Sequence, residues 1–282
     1  GDGSSDVTTF TAGVTATDPS TVYVAGTIKA ASTAVITLGD ADTGVSVTAT
    51  STIGDNSTGT ITLGDVTLED GATLTIGKNG VANTQNIRSI SGTAEGSASN
   101  ITLSTSSTTT VSGNIGTDIA TLNIDSGVTF EGTVTATTID IAGSVTATFN
   151  DAITATTIAL NGSSNLTISY TGDITIAGNI TDTSTSNEIN VLFATADTAP
   201  SLVTFSGAAV AADTINIGST TKAGKATFSG STGVTATTLT IAGGNHANED
   251  STATFNDDLT ATIVLDDNTG DAKIIFATAN NA

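Results

Sequence analysis

The chain has 282 residues, with 6 basic and 27 acidic side chains for a formal charge of -21, and it contains no cysteine, methionine or tryptophan. Lack of cysteine excludes a disulfide framework, a thiolate metal site and a cysteine nucleophile, and a single histidine, His246, excludes a multi-histidine metal centre. A surface this negative, with Arg88 as its one arginine, repels nucleic acid phosphates and anionic lipid heads alike, so no nucleic acid partner is expected.

The chain can nevertheless bury a core, because 37% of its residues are apolar and only 12% are charged. Threonine makes up roughly a fifth of the residues, while the good helix formers are scarce. Thr, Val and Ile are stiff at χ1 and favour extended backbone, so composition predicts an almost all-β protein. No run of about 18 apolar residues is present, and no direct membrane insertion is expected. The heavy Thr, Ser, Asn, Gly and Asp usage, the acidity and the lack of cysteine point to an extracellular, cell-surface location. The start at Gly1 fits a processed protein or a piece of a longer one.

In chain order, the first strand signal is Val7-Thr-Thr-Phe-Thr11. Ala34-Val-Ile-Thr-Leu-Gly-Asp40 is then echoed by Gly59-Thr-Ile-Thr-Leu-Gly-Asp65 and loosely by Asn100-Ile-Thr-Leu-Ser104. Because this echo is faint, and Pro19 and a Ser/Thr tract at 104–110 interrupt it, residues 1–110 read as a Thr/Gly-rich β region that a separate β-sandwich would also explain.

From 111 to 282 the self-similarity is plain. Val134-Thr-Ala-Thr-Thr-Ile-Asp-Ile-Ala-Gly143 recurs from Ile153 to Gly162 and from Val234 to Gly243, with a looser copy from Val210 to Gly218. A second phrase alternates with it, carrying Phe130, Phe149, Phe205, Phe228 and Phe255, and sets a unit of about 19–27 residues. Within each unit polar and apolar residues alternate for four to eight positions and stop at Gly, Asn-Gly or Asn-Asp, so each unit reads as two or three short strands. Such a unit buries its inward residues only by stacking on a copy of itself. The expected fold is therefore a right-handed parallel β-solenoid with coils of that length.

The repeated phrases resemble repeats in the passenger regions of alphaproteobacterial autotransporter adhesins and surface-layer-like proteins, including the rickettsial outer-membrane protein B group. The resemblance covers residues from about 120 to 282. It implies a secreted, non-enzymatic β-helical stalk or coat. No C-terminal segment alternates in the ~10-residue pattern of a membrane barrel with aromatic girdles, so the resemblance implies a passenger without its translocator, or a coat subunit exported another way.

No nucleophile elbow, phosphate loop or paired-histidine motif appears, so no enzyme is expected, a polysaccharide lyase being the nearest alternative. Calcium is the cofactor the residues suggest, since closely spaced Asp and Asn in glycine-permitted turns supply oxygen ligands. Asp40 and Asp42 form one such loop, Asp266, Asp267, Asn268 and Asp271 another, and Asp2 to Asp6 a third. Threonine pairs such as Thr235/Thr237 and Thr252/Thr254 have the spacing of an ice-binding face, although the drifting unit length works against a lattice match.

The leading expectation is a self-assembling subunit of a surface layer, sheath or filament, polymerising through terminal strands. A stacked-coil protein presents unpaired backbone at its outermost coils. Ile274, Ile275 and Phe276 at one end, and Val7 and Phe10 at the other, are the candidate assembly residues. The alternative is an adhesin passenger that binds a host or surface glycan.

Overall fold

Short Thr-, Val- and Ile-rich stretches form 26 strands, with no helix among the described residues. The computed structural model describes residues 7–10, 14–16, 21–30, 33–78, 80–93, 99–195 and 198–277. The chain is an all-β, right-handed parallel solenoid, and it divides into two compact units, 1–140 and 141–282.

In the first unit each coil carries three short runs. The runs 36–38, 45–47 and 51–53 pair in parallel with 61–63, 66–68 and 74–76, respectively, of the next coil. Because side chains alternate across a strand, this register sets apolar residues on apolar residues toward the axis. One ladder runs Leu38, Leu63, Ile87, Val111, Phe130. Another runs Ile53, Ile76, Leu103, Ile124, and every member of both is at most 2% exposed.

The inner ladders admit a polar rung where the chain closes its hydrogen bonds. Gln85 follows Ile36 and Ile61 on an inward row and is fully buried. Its Nε2 donates to Asn83 Oδ1 at 2.9 Å and to the Ser104 carbonyl at 3.0 Å, and its Oε1 accepts the Thr109 hydroxyl at 3.0 Å. A buried amide so completely bonded carries little penalty.

The described strands of residues 1–110 pair in parallel, coil on coil, from Val7–Phe10 against Val22–Ala30 onward. The sandwich alternative for this region is thereby corrected, since a sandwich needs antiparallel sheets facing each other. The Gly59-to-Asp65 echo of Ala34-to-Asp40 is the register itself.

The second unit follows the same rule. Leu166, Ile189, Ile215, Leu239 and Ile263 form one ladder, and Ile168, Val191, Ile217, Ile241 and Leu265 the next. Phe205, Phe228, Phe255 and Phe276 form a third, with ring centroids 4.8, 4.8 and 5.9 Å apart. The first two pairs are nearly coplanar, 8° and 4° between planes, so the rings stack at the spacing that strand pairing imposes. Phe149 does not join this stack, being paired to Ile168.

Coil length varies because the corners absorb insertions. Thr146 pairs with Asn165, 19 residues on, and Ile174 with Val203, 29 residues on. Tyr170 adds a tie across the coils. Its buried ring lies 5.3 Å from Phe193, and its hydroxyl accepts the Lys225 N–H at 2.8 Å and donates to the Lys225 carbonyl at 3.3 Å. Burial pushes the Tyr170 phenol up to about 12, so it stays a neutral donor.

Phe228→Ala removes the middle of the aromatic stack and is expected to destabilise the protein by about 3–5 kcal/mol. Phe276→Ala, at the exposed end of the same ladder, should cost well under half as much. Urea unfolding midpoints at constant m-value check both.

Candidate functional site

The strands Leu259–Asp266 and Ala272–Phe276 form the last described coil. Their partners are Val234–Ala242 and Ser251–Phe255, and among the described residues no strand pairs with their other edges. Register explains the surface this leaves. Ile263 stands over Leu239 and Leu265 over Ile241, both fully buried, while Phe276 stands over Phe255, 1% exposed. Yet Ile263 is 42% exposed, Leu265 48% and Phe276 57%. These are core positions that no further described strand covers. Val264, over Thr240, adds an outward apolar residue that is 43% exposed.

Of the residues expected to mediate assembly, Phe276 and Ile274 lie on the inward rows of this coil, and Ile275 faces outward over Thr254. Ile263, Val264 and Leu265 belong to the same surface and were not singled out from sequence. The signal was present, since Thr260-Ala-Thr-Ile-Val-Leu265 aligns with Thr235-Ala-Thr-Thr-Leu-Thr-Ile241 once one residue is skipped, as the register does. At the other end, Val7–Phe10 pairs with Val22–Ala30, Val7 opposite Thr27 and Phe10 opposite Ala30, and the side chains of Val7 and Phe10 lie outside the described ones.

The acidic loops are engaged in turn bonds. Asp40 Oδ1 accepts the N–H groups of Asp42 and Thr43 at 2.9 Å each, and these bonds hold the Asp40 carboxyl below its ordinary range. Asp267 Oδ1 accepts the Ala272 N–H at 2.8 Å, Asn268 Nδ2 donates to the Thr220 carbonyl at 2.8 Å, and the Asp271 N–H donates to Asp250 Oδ1 at 2.9 Å. Asp266 is exposed at the end of its strand. Among the described residues, no three His, Cys, Asp or Glu side chains stand together as metal ligands. The Asp2-to-Asp6 loop lies outside the described residues.

His246 lies in the loop between the strands Val234–Ala242 and Ser251–Phe255. Its Nδ1 is 3.3 Å from Oε2 of Glu249, a carboxylate that is 1% exposed. The same oxygen accepts the His246 N–H at 3.2 Å. The histidine's imidazole thus braces a loop carboxylate. Threonine rows on the outer face are interrupted: Thr252 lies between Lys225 and Lys273 on its row.

Two lysines converge on one acid in the first unit. Lys29 Nζ is 2.7 Å from Asp55 Oδ2 and Lys78 Nζ is 3.2 Å from Oδ1. The Lys29 contact, then Lys78, hold the Asp55 carboxyl below its ordinary 3.8 against the opposing effect of burial.

The chain matches no described protein family, no curated protein and no solved structure. No helix among the described residues is long and apolar enough to cross a membrane.

Asp55 contributes stability that is present above its unfolded-state pKa and lost as pH falls through the lower folded value. Asp55→Asn is therefore expected to cost up to about 1 kcal/mol at pH 7, the ordinary range for partly exposed pairs. The gap to the unsubstituted protein should stay constant down to about pH 5 and close below pH 4. Thermal melts across pH 3–7 check this.

Proposed function

We propose that this chain is a non-enzymatic, extracellular structural element that associates with copies of itself, coil upon coil, as part of a surface layer, sheath or filament. One observation carries the reading: Ile263, Leu265 and Phe276 occupy core rows but are roughly half exposed, whereas their equivalents one coil earlier are buried. A further coil in register supplies what these positions lack. Covering each side chain fully is worth about 1.5–3 kcal/mol relative to full exposure, so half-covered residues each gain on the order of 1 kcal/mol. The backbone of two strands gains ladder hydrogen bonds at the same time.

The amino-acid content supports a surface role. A chain with no cysteine or methionine has none of the sulfur side chains that oxidants attack first. A charge of -21 keeps lateral faces apart, whereas the two edge strands carry one acidic side chain, Asp266, and one basic one, Lys273.

Negative-stain microscopy and light scattering of the purified chain are expected to show linear oligomers that grow with concentration. Leu265→Glu combined with Phe276→Glu should leave the circular-dichroism β signal intact and abolish those oligomers. A chain that stays monomeric at high concentration, or a double variant that assembles as before, overturns the reading.

A further inference from the structure

A groove of about 400 Å³ opens on the outer face of the first unit, away from the coil edges. Two outward rows form it. One runs Thr37, Thr62, Asn86, Thr110, each opposite the next across neighbouring coils. The other places Gly39 and Gly64 beside Arg88 and Ser112.

The two glycines let the Asp40 loop close onto the next coil, where it forms one wall of the groove. Gly39 has a φ of +69°, and a Cβ at Gly64 would meet the Asp40 backbone nitrogen at 2.5 Å and oxygen at 2.6 Å. Side chains are therefore excluded at these two positions, where the Asp40 backbone packs on Gly64 and, with Ala41, bounds the groove.

The polar groups around the groove are held in place. Arg88 Nε is 3.3 Å from Asp65 Oδ1, which also accepts the Ser89 hydroxyl at 2.6 Å. The charge of Arg88 acts on Asp40 as well, whose carboxylate is fixed by two backbone N–H groups. The groove thus carries one guanidinium and two nearby carboxylates, Asp65 paired with Arg88 and Asp40 in the lining. An anionic ligand entering here meets both, whereas a neutral ligand with hydroxyls finds donors on Arg88 and Asn86 and acceptors on Asp40 and the threonines.

We infer that this groove binds a neutral oligosaccharide, with its long axis along the coil stack. The four rungs from Thr37 to Thr110 repeat every ~4.8 Å and span about 14 Å, so a chain of similar sugar rings meets similar groups at each step. The volume lies within the ~300–1,000 Å³ of ligand clefts. This site is separate from the coil edge and does not depend on self-association.

The test uses the full chain on an immobilised panel of neutral glucans, mannans, galactans and chitooligosaccharides, with polygalacturonate as the acidic comparison. Calorimetry then follows with the best soluble trisaccharide up to about 10 mM, tenfold beyond a weak 1 mM site. Saturable binding of a neutral glycan is expected. Asn86→Ala and Arg88→Ala should each weaken it at least tenfold with unchanged melting temperature, Arg88→Lys should weaken it less, and Thr102→Ala on a different outer row should leave it unchanged. If Arg88→Ala unfolds the chain, Thr62→Phe, which fills the groove from an exposed row, must abolish binding in a folded protein. No binding across the panel, preference for polygalacturonate, or equal binding by the groove variants overturns the inference.

Discussion

Everything in this molecule depends on parallel pairing of each coil with the next in a register that sets like upon like. A coil of 19–30 residues has too little apolar surface to hold itself together. Backbone ladders fix the spacing near 4.8 Å, and that spacing decides which side chains suit the interior. Leu, Ile, Val and Phe stand over one another in axial columns, because apolar side chains repeat at the distance at which they touch. The parallel Phe205, Phe228 and Phe255 rings are the clearest case.

The same constraint creates the features to which function is assigned. A core built of repeating layers exposes its own interior wherever a layer is uncovered, as at Ile263, Leu265 and Phe276. It also turns the outer face into a set of evenly spaced rows, where the loop of Asp40 and Ala41, seated on Gly64, walls a trough. Edge and trough follow from one geometry, yet they present different chemistry, apolar side chains and open backbone in one place and hydroxyl, amide and guanidinium groups in the other.

Much of this was legible in the sequence, because period-two alternation and repeated phrases are direct readouts of strand and coil. The Val134, Ile153, Val210 and Val234 phrases marked the strands, and Val210–Ile217 does pair with Val234–Ala242. What could not be read was which rows share a ladder. The five phenylalanines were grouped by phrase, but uneven corners slide Phe149 onto Ile168 and bring Phe276 into the stack. Residues 1–110 read ambiguously because their inward positions mix residue types: Gln85 and Thr109 continue a row begun by Ile36 and Ile61, which hides the repeat from simple matching. The acidic loops were legible as turns, whereas the convergence of Lys29 and Lys78 on Asp55 joins residues from different coils and leaves no local signature.

The hydroxyl of Tyr170 has a mechanical meaning. Under tension a pile of layers yields from its free end, one layer at a time, since each is fastened only to its neighbour. Tyr170 breaks that rule by gripping both backbone groups of Lys225, 55 residues further along the chain. Peeling that advances from the far end must tear this rivet at Lys225 before the layers between can come away, so the molecule carries a built-in arrest point against pulling forces.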